Sequence, residues 1–304
     1  MQAARVHGYG GPEQVVIEQA PRPEPRAGQA LVRIKAVGVN PIDWKLVGGA
    51  FKQYMPLAFP WIPGFEAAGI VEAVGPDVTT LVPGQAVYGP IGSSYAEYTV
   101  APVTELYAKP EHISFEQAAS VPHGALTAWQ AVVEEAEVQP GQHVLVQGGA
   151  GGVGLYAVQL AHWKGAHVIA TTSAANADFV RSLGAEQVID YRTTRFEEVV
   201  HDVDAVIDTV GGEVETRSLQ TIRTGGIFVT MAGMIAPEAG EGRMIRATSS
   251  RRADTNKLQP ISELLESRKL IPGVGQVFPL SQVRQALELS QTGHGRGRII
   301  LVIG

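Results

Sequence analysis

From His143 onward, short apolar runs are each followed by a longer segment whose apolar positions recur at helical spacing. His143–Gln147 reads as a strand and leads into a helical segment over Gly152–Lys164. His167–Thr171 precedes a helix at Ala175–Leu183, and Gln187–Ile189 precedes a short helix near Phe196–Val200. Ala205–Asp208 precedes a helix at Glu213–Leu219, and Gly226–Thr230 follows as a further strand. Short strands alternating with helices in this way predict a parallel, doubly wound α/β sheet with helices on both faces.

The first hundred residues are patterned differently. Val15–Glu18, Gln29–Ala36 and Ala68–Val74 are β-branched runs separated by Gly11-Pro12, Gly48-Gly49, Gly75-Pro76 and Pro83-Gly84. This predicts a small, barrel-like β-rich domain. Near Ser114 helical spacing begins, over Phe115–Ala119 and Gly124–Ala136, with Pro122 as an interruption. After Met231 the pattern degrades. Ala236–Gly242 reads as a surface loop, Lys257–Glu266 and Ser281–Gln291 as helices, and Arg298–Val302 as a last buried strand. The expected division is a β-rich domain from residues 1–113 and 250–304, with a Rossmann-type domain, residues 114–249, inserted between its parts.

The turn after the first strand of the inserted domain carries the clearest chemistry. Gly148, Gly149, Ala150, Gly151, Gly152, Val153 and Gly154 stand between strand and helix, and Gly149, Gly151 and Gly154 satisfy the G-x-G-x-x-G spacing. Glycines there let the backbone approach a pyrophosphate, which the amides and dipole of the following helix attract.

Composition narrows the rest. The chain has 304 residues, enough for two domains, and at 45% hydrophobic it can fill a large core. A net charge of −6 argues against a nucleic-acid partner. The absence of cysteine excludes disulfides, thiolate metal sites and a cysteine nucleophile. No apolar run reaches the ~18 residues of a membrane helix. MQAARVHGYGGPEQ has no apolar signal region. A cytoplasmic protein is expected.

The cofactor is expected to be NADP(H). An acid near the end of the second strand binds the ribose hydroxyls in NAD-preferring folds, yet Leu155–Ala177 contains neither Asp nor Glu. Ser173 can donate to a 2′-phosphate. Tyr191 and Arg192 follow the third strand, where they could flank it; Arg192 reads equally as a solvated loop charge.

Several motifs together carry a resemblance. They are Val39-Asn40-Pro41-Ile42-Asp43-Trp44-Lys45, Pro63-Gly64-Phe65-Glu66-Ala67-Ala68-Gly69, Leu126-Thr127-Ala128-Trp129-Gln130, the loop Gly148–Gly154, Leu183-Gly184-Ala185 before Val188-Ile189-Asp190-Tyr191, and Gly295-Arg296-Gly297-Arg298. With them the chain resembles, over nearly its whole length, the zinc-independent quinone oxidoreductases (zeta-crystallin-like) of the medium-chain dehydrogenase/reductase superfamily. The resemblance implies a GroES-like catalytic domain around the Rossmann domain. It implies transfer of hydride from NADPH to a quinone or an α,β-unsaturated carbonyl, and a homodimer. Zinc-dependent relatives carry Cys where Asn40 stands and His where Phe65 stands, so no metal is expected. The alternatives are an enoyl-thioester reductase and an NADPH-binding regulatory or structural protein with little turnover.

The resemblance also nominates residues. Asn40 could hydrogen-bond a substrate carbonyl or the nicotinamide ribose, or only stabilise the turn before Pro41. Asp43 reads chiefly as a helix cap. Tyr54 could donate a proton to an enolate, though a lid role is favoured. Phe65 is expected to fill the vacated zinc volume beside substrate. Thr127, at a helix start, is expected near the nicotinamide half of the cofactor. Met231 and Ala232, ending the last strand of the inserted domain, are expected at its amide.

Overall fold

The β-branched run Gln29–Val39 folds as one long strand on which much of the first unit is assembled. In chain order the strands of this part are β1 (Gln2–Val6), β2 (Val15–Gln19), β3 (Gln29–Val39), β4 (Ala67–Val74), β5 (Ala86–Gly89), β6 (Tyr98–Pro102) and β7 (Tyr107–Ala108). The helices are α1 (Pro41–Val47), α2 (Phe115–Ala119) and α3 (Pro122–Trp129). There follow β8 (His143–Gln147), α4 (Gly154–Trp163), β9 (His167–Thr172), α5 (Ala177–Ser182), β10 (Gln187–Asp190), β11 (Val203–Asp208), α6 (Glu213–Leu219), β12 (Ile222–Thr230) and β13 (Met244–Ala247). The chain closes with α7 (Leu258–Glu266), β14 (Val274–Pro279), α8 (Val283–Gln291) and β15 (Arg298–Val302). This computed structural model describes residues 1–232, 244–247 and 255–304. The loop expected over Ala236–Gly242 lies outside them.

The chain divides into two compact units, Met1–His123 with Leu258–Glu263 and Pro272–Gly304, and Gly124–Lys257 with Leu264–Ile271. The division falls within α3, ten residues beyond the boundary at 113/114 read from the sequence. Pro122 opens α3 rather than interrupting a helix. A proline suits a first helical turn because its missing N–H has no intrahelical partner to lose. Gln130–Glu135 continues as a π-helical turn.

In the first unit the sheet runs β14-β15-β3-β4-β5-β7, with β6 also pairing with β3, and β1 and β2 form a separate hairpin. The expected terminal strand is present. β15 pairs antiparallel with β3, Ile299 opposite Val39 and Leu301 opposite Val37. Val32, Ile34, Val37, Val87, Tyr95, Leu287 and Leu301 are among the residues of the core beneath this sheet.

The second unit holds a six-stranded, all-parallel sheet in the order β10-β9-β8-β11-β12-β13. The chain builds outward from β8 through β9 and β10, then returns to place β11 on the other side of β8. The order therefore reverses between β8 and β11, and ligands of such sheets bind outside the carboxyl ends of the strands at that point. α4 explains its own position. Gly154–Ala161 are all buried, mostly apolar with the Gln159 amide hydrogen-bonded, so the helix belongs in the interior. Full burial of one leucine, such as Leu155 or Leu160, contributes about 1.5–3 kcal/mol.

Candidate active site

The glycine loop joins β8 to α4 at the reversal point. Gly148 has φ +71°, and a Cβ on it would meet Thr209 Oγ1 at 2.7 Å. At Gly154 a Cβ would collide with the Gly148 carbonyl, so α4 can begin this close to the loop only with glycine there. A chain of polar groups braces the loop. The Gly148 amide donates to Thr171 Oγ1 at 3.1 Å. That hydroxyl donates to Gln147 Oε1 at 2.6 Å, and Gln147 Nε2 donates to Ser218 Oγ at 3.0 Å. Gly149 donates to the Thr171 carbonyl at 2.9 Å, and Gly151 to that of Gly148 at 2.9 Å. A Cβ on Gly151 would meet only the Gly148 carbonyl oxygen, at 3.2 Å. The face of the loop at Gly151 is therefore open, as a pyrophosphate cradle requires. Ala150 is buried, while Gly152 and Val153 are half-buried at the helix entry.

Other predicted cofactor residues gather at neighbouring strand ends of the same unit. Ser173 directly follows β9 and is largely buried, and Asn176 Nδ2 donates to its Oγ at 3.3 Å. Tyr191 directly follows β10, its amide donating to the Thr172 carbonyl at 3.1 Å, and it is half exposed. The Arg192 guanidinium lies 5.8 Å from the Tyr191 ring centroid. After β12, the Met231 amide donates to the Asp208 carbonyl at 3.0 Å, and Ala232 donates to Thr230 Oγ1 at 3.2 Å. Asp208, missed from the sequence, closes the end of β11. It is fully buried and accepts from the amides of Val210 and Gly211. Burial holds its pKa above the ordinary carboxylate value despite those amides. Thr127 sits inside α3, not at a helix start, because the helix opens five residues earlier at Pro122.

In the first unit, Asn40 leads from β3 into α1. Its side chain is fully buried. Nδ2 donates to Glu66 Oε1 at 2.8 Å and to the Gly38 carbonyl at 3.4 Å, and Oδ1 accepts from Arg298 Nη2 at 2.6 Å. The amide is thus engaged at both ends inside the protein, an arrangement that favours the turn-stabilising reading of Asn40 over direct substrate contact. Arg298 also forms an ion pair with Glu66 Oε1, and the His123 amide donates to Glu66 Oε2 at 2.7 Å. Gly38 makes the arrangement fit, because a Cβ there would strike the Glu66 carboxylate.

Asp43 occupies the third position of α1 and returns a hydrogen bond to its start. The Asn40 amide donates to Asp43 Oδ2 at 2.7 Å, as expected of a residue that ties down the helix entry. Tyr95 Oη donates to the same oxygen at 2.8 Å. Burial pushes the Asp43 carboxyl up to about 7, against the pull of these two donors. Burial lowers the pKa of His123 and raises that of Tyr95.

Phe65 packs against Trp61, ring centroids 6.3 Å apart. Tyr54 lies in the turn after α1 at 85% exposure, with Met55 beside it at 53%. The structure therefore joins Asn40 to Glu66 and Arg298, and sets Tyr54 apart in an exposed turn. Arg298 stands 232 residues from Glu66. The only sequence signal for their pairing was a Glu and an Arg within motifs carrying the resemblance.

These donors do not fit a catalytic zinc. Phe65 offers no ligand atom, the Asn40 amide is occupied, and Glu66 already faces a fixed cation. Among the described residues no three or more His, Asp or Glu side chains gather to hold a metal ion. The glycine cradle, by contrast, fits a dinucleotide.

A GroES-like unit together with a parallel dinucleotide-type sheet defines the medium-chain dehydrogenase/reductase class. Residues 26–111 match the alcohol dehydrogenase GroES-like domain family, and residues 183–301 match the family described as zinc-binding dehydrogenase. The chain is 34% identical to an NADPH-dependent alkenal/one oxidoreductase of Arabidopsis thaliana, over 96% of this chain and 77% of that protein. It is 30% identical to a quinone oxidoreductase of Pongo abelii, over 100% and 98%. The structure of a quinone oxidoreductase from Coxiella burnetii superimposes with a TM-score of 0.91 at 34% identity, covering 100% and 99% of the two chains. The chain belongs to the zinc-independent quinone oxidoreductase family of the medium-chain dehydrogenases/reductases. Among the described residues no helix is long and apolar enough to cross a membrane.

Proposed function

We propose that the protein is an NADPH-dependent reductase of quinones or α,β-unsaturated carbonyl compounds. The observation that carries this reading is the braced glycine loop at the sheet's reversal point, in a chain whose buried Asn40–Glu66–Arg298 cluster leaves no room for a catalytic zinc at that position. The similarity to reductases of both substrate types supports it. NADPH, when bound, supplies the hydride. Gly148–Gly154 and the start of α4 hold the pyrophosphate, and Ser173 and Tyr191 receive the 2′-phosphate. Thr127, Met231 and Ala232 position the nicotinamide half. An acceptor already polarised by its carbonyl needs orientation and water exclusion more than a strong nucleophile.

In this reading the β-rich unit carries substrate-facing groups and the parallel sheet carries the cofactor. Phe65 supplies an apolar wall. Tyr54 acts as an aromatic lid, in keeping with its exposed turn. Asn40 acts at one remove, by holding Arg298 and Glu66. The reading extends to a homodimer in the cytoplasm, a reducing compartment compatible with a chain without cysteine.

NADPH consumption against a panel of quinones, enones and enoyl thioesters tests the proposal. Turnover of quinones or enones is expected, and no turnover of any of them would defeat it. Tyr54→Phe should keep most activity, whereas a fall of about two to four orders of magnitude would make Tyr54 the proton donor. That result would favour an enoyl-thioester reductase.

A further inference from the structure

A row of charged and titratable residues crosses the amino ends of the parallel strands in the second unit. In spatial order it runs Glu186 before β10, His167 on β9, His143 on β8, Asp204 on β11 and Arg223 on β12. Glu186 contacts His167 Nδ1 at 3.0 and 3.1 Å. His143 and His167 are register partners on adjacent strands, and their ring centroids lie 5.1 Å apart at 37°. Asp204 accepts from the His143 amide at 2.8 Å and from Arg223 Nε at 2.7 Å. The row stands at the opposite end of the sheet from Gly148–Gly154. A five-residue strand separates the two ends by about 15 Å.

We propose that the His143 and His167 imidazoles form a binding site for a divalent transition metal ion of the zinc or copper type, separate from the reductase chemistry. An ionised carboxylate only accepts, so a neutral His167 bonded to Glu186 carries its proton on Nδ1 and offers Nε2 to a metal. A carboxylate behind one ring nitrogen, with the other exposed, is the arrangement that orients metal-binding histidines. Both imidazoles are solvent-accessible, so an ion can enter without opening the fold. Imidazole nitrogens select Zn²⁺, Cu²⁺ and Ni²⁺ over Mg²⁺ and Ca²⁺. Asp204 is committed to its amide and to Arg223, so the site has two protein donors and water completes the shell. A bound ion would tie β8 to β9 and stabilise the native state by mass action.

The test uses the full-length protein, with Zn²⁺ titrated by calorimetry and Cu²⁺ at one equivalent followed by electron paramagnetic resonance. One saturating Zn²⁺ per chain, a hyperfine pattern from two nitrogens and a Zn²⁺-dependent rise in Tm are expected. All three should disappear in His143→Ala and in His167→Ala, while NADPH affinity stays unchanged. Glu186→Gln should weaken Zn²⁺ binding about tenfold or more. Binding unaltered by both histidine substitutions, a one-nitrogen pattern or no saturable binding would leave an ordinary solvated imidazole pair and overturn the proposal. Unchanged affinity in Glu186→Gln would overturn the orienting role of that carboxylate.

Discussion

Arg298→Met removes a cation that is 4% exposed and leaves the fully buried Glu66 carboxylate with only neutral donors, the Asn40 amide and the His123 backbone N–H. The side-chain stem is largely retained, so little packing is lost. Removing one partner of a buried ion pair typically costs about 3–5 kcal/mol, because the remaining charge stays desolvated and uncompensated. The Asn40 carbonyl oxygen also loses its Arg298 donor, which costs about another 1–3 kcal/mol. Replacing both members should cost much less than the sum of the single changes. In Arg298→Met with Glu66→Gln no charge is left buried, although the single amide oxygen keeps only one of the two donors, since Asn40 reaches Oε1 and the His123 amide reaches Oε2. Urea unfolding of the parent, both single variants and the double variant closes a thermodynamic cycle. A coupling energy of at least about 2 kcal/mol is expected. A loss below about 1 kcal/mol in Arg298→Met, or strict additivity in the double variant, would refute the view that these two charges stabilise each other in the interior.

Three further outcomes are expected. Gly151→Val should abolish NADPH binding in a folded protein, because its branched carbon enters the open face of the loop; unchanged affinity by fluorescence titration would remove the loop from the phosphate site. Ser173→Asp should shift preference from NADPH towards NADH, since like charges at ~4 Å repel by a few kcal/mol at an effective dielectric near 20; an unchanged ratio of kcat/KM values would count against Ser173. Asp43, raised by burial to about 7 against ~3.9 unfolded, binds its proton more tightly when folded. Its contribution is therefore full below about pH 4 and lost as pH rises through about 7, a fall on the order of 4 kcal/mol. Asp43→Asn should flatten that slope in urea unfolding at pH 4.5, 6 and 8, and parallel pH profiles would contradict the assignment.

What could be read from the sequence was what neighbouring residues decide. Successive strands and helices differ in period, and the loop glycines mark a turn where backbone can approach a ligand closely. Arg298–Val302 was legible as a buried strand by its apolar run, with the bounds the structure gives it. Pro122 was misread because a proline can end one helix or open the next, and only the fold decides which. Asn40 stayed open between substrate contact and turn stabilisation because its burial depends on Arg298, 258 residues away, and on the space that Gly38 leaves beneath β3. No local pattern encodes such a meeting.

The guanidinium beside Glu66 also constrains the paths open to this sequence in evolution. Asn40→Cys and Phe65→His would introduce two zinc-type ligands on paper. They would do so against a fixed positive charge that already satisfies the neighbouring carboxylate. The order of substitution then matters. Arg298 would have to change first, and that intermediate carries a stranded buried anion before any metal can compensate for it. A metal-free site is thus guarded by an unstable intermediate, and acquiring a metal there would require several residues to change together.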